Sequence, residues 1–306
     1  MMKSTASRRG TTMSSEAAPP RIPFYFTVDF EDIGADMLRG FGIDLSARAR
    51  EDLLWRTYEN IQGLIDTVLG GRPATFFCTG VLGLYARDLL AQIARDGHEI
   101  GCHYHFHDAV AGDSPELVER RVAEAIDALQ EASGSEVVGF RAPMFSIEAT
   151  NVGQYRRLAA RFAYDSSLIA DVGEGFREAD FSEISDHGRM RLFPVPAIRK
   201  LGRVRHKAGG TFFKLFPLGW TEDALAAAHA QDLAPVFYLH PYEFVSDGRF
   251  RLSLRELQAL GAARQAYWWL RQTQWHNVGN GAVHGKLSRL TSRFEHQGPM
   301  RDLISA

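Results

Sequence analysis

The chain has 306 residues, 45% of them apolar, and a formal charge of −2 at pH 7, so it can bury a sizeable core as one large domain or two modest ones. The near-neutral charge excludes nucleic-acid binding through a bulk basic surface, and no run of about 18 apolar residues marks a membrane span. Cys78 and Cys102 both lie in apolar, strand-like runs; they read as buried thiols in a reducing compartment, which excludes a disulfide framework.

Residues 1–20 are rich in Ser, Thr and Ala but lack the apolar region of a secretory signal, so they are expected to form a disordered tail. Ile22 to Val28 reads as a buried first strand that ends in Asp29-Phe30-Glu31-Asp32. Carboxylates crowded at the end of a buried strand repel one another unless a cation joins them; the alternative is a solvated acidic turn or a helix N-cap. A helical period runs from Arg50 to Leu69 and stops at Gly70-Gly71. A strand at Ala74–Cys78, a helix at Tyr85–Arg95 and a strand at Glu99–Cys102 complete a βαβαβ order, which argues for parallel strands covered by helices.

The third strand lies within His98–Asp108, HEIGCHYHFHD, which holds four of the chain's eleven histidines. His103 and His107, four residues apart, can converge on a metal if the chain makes one turn between them; a solvated His-rich loop is the competing reading. Ser114 to Ser133 starts Ser-Pro-Glu-Leu and ends at Gly134, a helix with both of its end signals. Val137–Phe140 reads as a strand that delivers Arg141, which can pair with the first-strand carboxylates if the two strands are neighbours and is otherwise a surface cation. A helix is expected at Asn151–Phe162, a strand end at Tyr164–Ser167, a surface loop at 171–190 and an edge strand at Leu192–Pro196. Gly209-Gly210 forms a joint before Phe212 and Phe213, Thr221–Gln231 is a helix, and the strand Pro235–Leu239 delivers His240-Pro241-Tyr242-Glu243. The aromatic residues Phe212, Phe213, Trp220, Trp268, Trp269 and Trp275 are expected in the core, with a sugar groove as the alternative. No internal repeat or composition shift divides the chain, so 21–270 reads as a single domain followed by a polar C-terminal extension, 271–306.

Five segments in order, Thr27–Asp32, His103–His107, Arg141–Phe145, Tyr164–Ser167 and Leu239–Pro241, resemble the motifs of the polysaccharide deacetylases, carbohydrate esterase family 4. The Asp-x-Glu-Asp form, Arg-Ala-Pro-x-Phe-Ser, Gly-Gly-x-Phe-Phe and His-Pro-Tyr-Glu are most similar to the branch associated with exopolysaccharide and exosortase systems. The resemblance covers most of residues 22–250 and implies an α/β fold, a distorted (β/α) barrel of the polysaccharide deacetylase type, with parallel strands and outer helices. It implies hydrolysis of an N-acetyl, or N-formyl, amide on an amino sugar of a surface-polysaccharide precursor, with one divalent ion, zinc or alternatively cobalt or nickel.

Matched residue by residue, Asp29 takes the place of the general base, Arg141 of the arginine that holds it and His240 of the general acid. His103 and His107 take the places of the metal ligands. The third ligand is Glu31 or Asp32: strand alternation puts Glu31 on the side of Asp29, whereas a bend at the strand end favours Asp32. Phe145, with Pro143 and Asp165, falls on the oxyanion and substrate side. Without a signal sequence, the expected location is cytoplasmic, free or peripheral at the inner membrane face, and the expected partner is a nucleotide- or lipid-linked amino sugar. Two rival readings are a metal-free cyclic-amide hydrolase of the allantoinase kind and a non-catalytic carbohydrate-binding protein.

Overall fold

Alternation along β1 (Ile22–Phe30) sets the two faces of the main sheet. Phe24, Phe26, Val28 and Phe30 are fully buried on the helix side, and Thr27 and Asp29 therefore project from the opposite, inner face. The computed structural model describes residues 20–43, 51–173, 184, 190–202 and 204–305.

The other strands are β2 (Thr75–Cys78), β3 (Glu99–Cys102), β4 (Gly139–Phe140), β5 (Tyr164–Asp165), β6 (Ile169–Asp171), β7 (Arg191–Leu192), β8 (Val195–Lys200), β9 (Val204–Lys207), β10 (Val236–Leu239) and β11 (Phe294–His296). The helices are α1 (Ile33–Gly40), α2 (Glu51–Val68), α3 (Leu82–Tyr85), α4 (Arg87–Arg95), α5 (Pro115–Ser133), α6 (Val152–Ala159), α7 (Gly210–Leu215), α8 (Leu218–His229), α9 (Ala262–Asn277), α10 (Asn280–Leu290) and α11 (Asp302–Ser305). The main sheet runs β10-β1-β2-β3-β4-β5-β7. Its strands pair in parallel, and β11 joins the first residues of β1 on the side taken further along by β10. Helices cover the outside of this sheet, which curls into a half-barrel. The expected distorted (β/α) barrel with parallel strands and outer helices is the observed fold.

Local chemistry accounts for the element ends. Ser114 caps α5 by accepting from the Leu117 N–H at 3.3 Å, Pro115 opens the helix, and Gly134 closes it at φ 69°. Cys78 and Cys102 are free, buried and in register on β2 and β3. The run expected as one edge strand at Leu192–Pro196 divides instead. Leu192 ends β7 at the edge of the main sheet, and β8 starts at Val195 in a second sheet ordered β6-β8-β9. Pro194 between them lacks the N–H that would continue a single ladder. Most of the loop expected at 171–190 lies outside the described residues, although Asp171 ends β6.

The two sheets meet where Gly209 bridges Tyr238 of β10. A Cβ at Gly209, whose φ is 141°, would overlap the Tyr238 carbonyl oxygen, so this seam requires glycine. Inside the half-barrel, Phe77, Tyr164, Phe193, Val195, Val236, Tyr238 and Met300 form their own apolar cluster. Below it, buried Glu99 accepts from Thr75 Oγ1 at 2.7 Å, Tyr164 Oη at 2.8 Å and the Arg301 N–H at 2.9 Å. The segment 271–306 thus carries part of α9, all of α10 and α11, the strand β11, and a stopper for the amino end of the barrel.

Candidate active site

The titratable groups gather at the opposite, carboxyl end of the strands, where the loops of a parallel sheet leave room for a site. Glu31, His103 and His107 each direct one ligand atom into a common space, all three atoms lying within 4.8 Å of one another. β1 brings Glu31, and the loop after β3 brings both histidines. His103 Nδ1 donates to the Arg141 carbonyl at 2.8 Å, which fixes the ring and leaves Nε2 as the inward ligand atom. Burial pushes His103 down to about 4, so it is neutral and available to a cation at pH 7.

Asp32 is placed differently. Its carboxylate caps α1 by accepting from the Ala35 N–H at 3.2 Å, and it also receives Tyr85 Oη at 3.4 Å. Of the two carboxylates carried forward from the sequence, Glu31 lies with the histidines and Asp32 turns the chain into the next helix.

The donor set fits a divalent ion. Glu31 Oε2 and His107 Nε2 are 2.6 Å apart, yet Glu31 Oε2 is a buried oxygen with no hydrogen-bond donor among the described residues. Both atoms face the space into which His103 also directs its ligand atom. Burial opposes charge on His107, but Glu31, Asp36 and Asp29 together raise it to about 9. Asp36, on α1, is pushed up to about 8, first by burial and then by Glu31 and Asp32. Asp36 thus holds its proton more tightly than an ordinary aspartate beside the Glu31 and Asp32 carboxylates. Arg39, ion-paired to Asp108 and packed 3.8 Å from the Phe106 ring centre, braces the loop behind His107.

Asp29 sits beside this trio and is paired with Arg141. Arg141 Nη1 donates to Asp29 Oδ1 at 2.6 Å and to Thr27 Oγ1 at 2.8 Å, while Nη2 donates to Ser166 Oγ at 2.8 Å. Burial alone would raise Asp29, but Arg141, His103 and His240 outweigh it and hold the carboxylate below its ordinary range. The pairing does not need neighbouring strands: β1 and β4 are separated by β2 and β3, and the arginine reaches Asp29 across the inside of the curled sheet.

His240 follows β10. Its Nδ1 faces Glu243 Oε2 at 3.2 Å, and the same oxygen accepts the His240 backbone N–H at 3.0 Å. Burial works against the imidazolium, yet Glu243, Glu31 and Asp29 raise its pKa. The Tyr242 ring stacks on His240 at 4.9 Å. Glu243 is itself fully buried and lies 3.9 Å from Lys214 Nζ; Lys214 also donates to Asn280 Oδ1 at 3.0 Å and to the Trp275 carbonyl.

The remaining expected site residues take other places. Asp165 points to the helix side of β5, where Oδ2 accepts from Ser167 Oγ at 2.6 Å and Oδ1 from Tyr155 Oη at 3.4 Å. It supports Arg141 from behind through Ser167, whose Oγ accepts the Ala142 N–H at 2.7 Å. Pro143 is buried in the turn 143–145, and the Phe145 N–H donates to Ala142 O at 3.1 Å. Met144 and Phe145 both have positive φ, 57° and 55°, a strained turn of the kind found beside sites. His98 accepts the Ala74 N–H at 3.0 Å, a structural role, and His105 is buried against Phe106, outside the trio.

Three participants had no usable signal in the sequence. Asp36 resembles any helical acid and Lys214 any helical cation. Lys207, on β9, lies with Nζ 4.9 Å from the Phe145 ring centre, and Asp29 is one of the charges acting on it. A pocket of about 740 Å3 lined by Pro23, Tyr25, Arg191 and Leu303 includes none of these groups and lies toward the amino end of the strands.

Residues 70–163 match the profile of the family described as polysaccharide deacetylase, and residues 172–303 match a domain of unknown function, DUF3473. The first match spans His103, His107 and Arg141; Asp29, Glu31 and His240 lie outside it. Among curated proteins, none matches the chain. Among solved structures, one from Mycobacterium smegmatis assigned to the polysaccharide deacetylases is 17% identical with a TM-score of 0.51, over 96% of this chain and 93% of that one. Puue allantoinase is 15% identical with the same TM-score, 0.51, over 94% of this chain and 93% of its own. Both likenesses are of fold.

Proposed function

We propose that this chain is a metal-dependent amide hydrolase that removes an acetyl or formyl group from an amino sugar of a surface-polysaccharide precursor. The observation that carries the reading is the Glu31, His103 and His107 trio, flanked by a paired carboxylate, Asp29, and a paired imidazole, His240. The match of 70–163 to the polysaccharide deacetylases supports the same reaction class.

The three ligands would hold one divalent ion, zinc being the choice that an imidazole and carboxylate set favours over magnesium or calcium. Such an ion supplies Lewis acidity toward the amide carbonyl and a lower pKa for water. The protein's own groups do the rest. Asp29, ionised and oriented by Arg141, accepts the proton of the attacking water. His240, whose imidazolium form Glu243 favours, gives a proton to the nitrogen as the C–N bond breaks, so the amine leaves neutral and the acyl group leaves as a carboxylic acid. Catalysis is assigned to 21–270 with the 271–306 segment as its support, and the substrate to a nucleotide- or lipid-linked amino sugar on the cytoplasmic side. No helix among the described residues is long and apolar enough to cross a membrane.

The test is elemental analysis of the wild type beside His103→Ala/His107→Ala, together with hydrolysis of N-acetyl and N-formyl amino sugars. About one divalent ion per chain, lost in the double variant along with activity, is expected. His240→Ala should keep the ion and lose about 10²–10⁴ in rate. A wild type that takes up no zinc, cobalt or nickel would discard the reading in favour of a metal-free cyclic-amide hydrolase or a binding protein.

A further inference from the structure

Helix α9 (Ala262–Asn277) is inside out. Its buried positions are polar, Gln272 and His276, whereas Tyr267 is 58% exposed, Leu270 62% and Trp269 38%. Ala263, Ala266, Tyr267 and Leu270 follow the i, i+3, i+4, i+7 spacing of a single helical face, and all four are exposed. Leu254, before the helix, and Val278, at its end, are also 51% and 49% exposed. The described residues thus place an unpartnered apolar stripe in water, with the Tyr267 ring on it and Trp269 exposed to one side.

The helix is not loosely attached. Gln272 exchanges two hydrogen bonds with Leu252, accepting its N–H at 2.7 Å and donating to its carbonyl at 2.6 Å. Trp268 packs on Phe41 with ring centres 5.1 Å apart, and His276 lies edge-on to Tyr242 at 5.0 Å. Phe41 ends α1, which leaves the site at Asp32, and Tyr242 is two residues from His240. The stripe is therefore borne by the same end of the barrel as the site.

Charge selects the occupant. The sequence of α9, AARQAYWWLRQTQWHN, contains no Asp or Glu, and Arg264 and Arg271, seven residues apart, line one edge of the stripe. A second copy of this face would set arginines against arginines with no acid on the helix to meet them, which disfavours a twofold contact. Anionic headgroups meet the arginines, while Tyr, Trp and Leu suit the boundary between headgroup and acyl chain. We propose that the outer face of α9 seats this protein on an anionic phospholipid surface, with the mouth of the site beside the bilayer. This deepens the proposed function by favouring the lipid-linked form of the substrate, but membrane binding itself does not depend on the reaction.

The experiment is co-sedimentation of the full-length, metal-loaded protein with phosphatidylglycerol/phosphatidylethanolamine vesicles and with phosphatidylcholine vesicles. Wild type is compared with Tyr267→Ser/Leu270→Ser and with Arg264→Gln/Arg271→Gln, each checked for an unchanged melting temperature and for mass in solution. Wild type should bind the anionic vesicles, and each double variant should lose about tenfold or more in binding. Three results would overturn the proposal: no binding by wild type, binding that the Tyr267/Leu270 variant retains, or a wild-type dimer that this variant dissociates. A protein that binds vesicles but cleaves no amino-sugar amide leaves this inference standing and removes the proposed reaction.

Discussion

Arg141 has no exposed surface and uses its guanidinium on Asp29, Thr27 and Ser166, with its Cζ 4.1 Å from the centre of the Phe77 ring. A buried ion pair adds little to stability as a whole, but breaking it from one side leaves an uncompensated charge, at a cost of about 3–5 kcal/mol. Arg141→Met should therefore cost about that much in unfolding free energy, measured by denaturant titration, and should also lower activity. The sign of its pH effect follows from Asp29, whose folded pKa lies below the ordinary carboxylate value. That stabilisation is present above the unfolded pKa of Asp and is lost as pH falls through the folded one. In Arg141→Met burial is opposed only by the histidines, so the folded pKa of Asp29 rises and this acid-side loss of stability should become smaller and end at higher pH.

At the scale of elements, the seam between the two sheets sits one residue from β10's last turn of ladder before His240. Gly209 holds a φ of 141° against Tyr238, and a methyl group there forces the second sheet away from β10. Overpacking of this kind costs about 1–3 kcal/mol. Gly209→Ala should lower the melting temperature and reduce turnover while leaving metal content unchanged, since the proposed ligands come from the end of β1 and the loop after β3. A drop in metal content would show that the seam positions the trio as well as His240. Within the elements themselves the sequence was a good guide: α5 has its Ser114 cap and Gly134 stop where the end signals lie. It failed at Leu192–Pro196 because one apolar run serves two sheets: Pro194 marks a break in the ladder, but nothing local says that the chain changes partner there.

For the whole molecule, the buried histidines outside the site set the acid limit. His98 and His296 are pushed down to about 4 and His276 to about 3, in each case chiefly by burial. A histidine with a folded pKa below its unfolded value contributes stability that is full above the unfolded pKa of about 6.5 and is lost as pH falls from there toward the folded value. Each such group removes up to about 1.4 kcal/mol per pH unit across that window. The melting temperature should therefore fall steadily from pH 6.5 to 4.5, and His296→Gln should make the fall shallower. His296 is the informative choice: its Nδ1 accepts the Phe26 N–H at 3.2 Å, and Nε2 faces the Pro73 carbonyl at 2.9 Å, joining β11 to β1 and to the start of β2.

The sequence alone determined the parallel α/β fold, through the alternation of buried strands and amphipathic helices, and it singled out the residues that converge, because Asp29, Glu31, His103, Arg141 and His240 each follow a buried strand or its exit. It did not determine which carboxylate joins the histidines. Glu31 and Asp32 are adjacent and chemically alike, and only the turn into α1 commits Asp32 to a cap. Nor did it place Asp165 behind Arg141, bring Glu243 and Lys214 to His240, or turn the apolar stripe of α9 outward. Periodicity reports that one face of a strand or helix is apolar; what that face meets depends on curvature and packing between segments distant in the chain. Here the curl of the sheet carries Arg141 past two strands to Asp29 and builds the site.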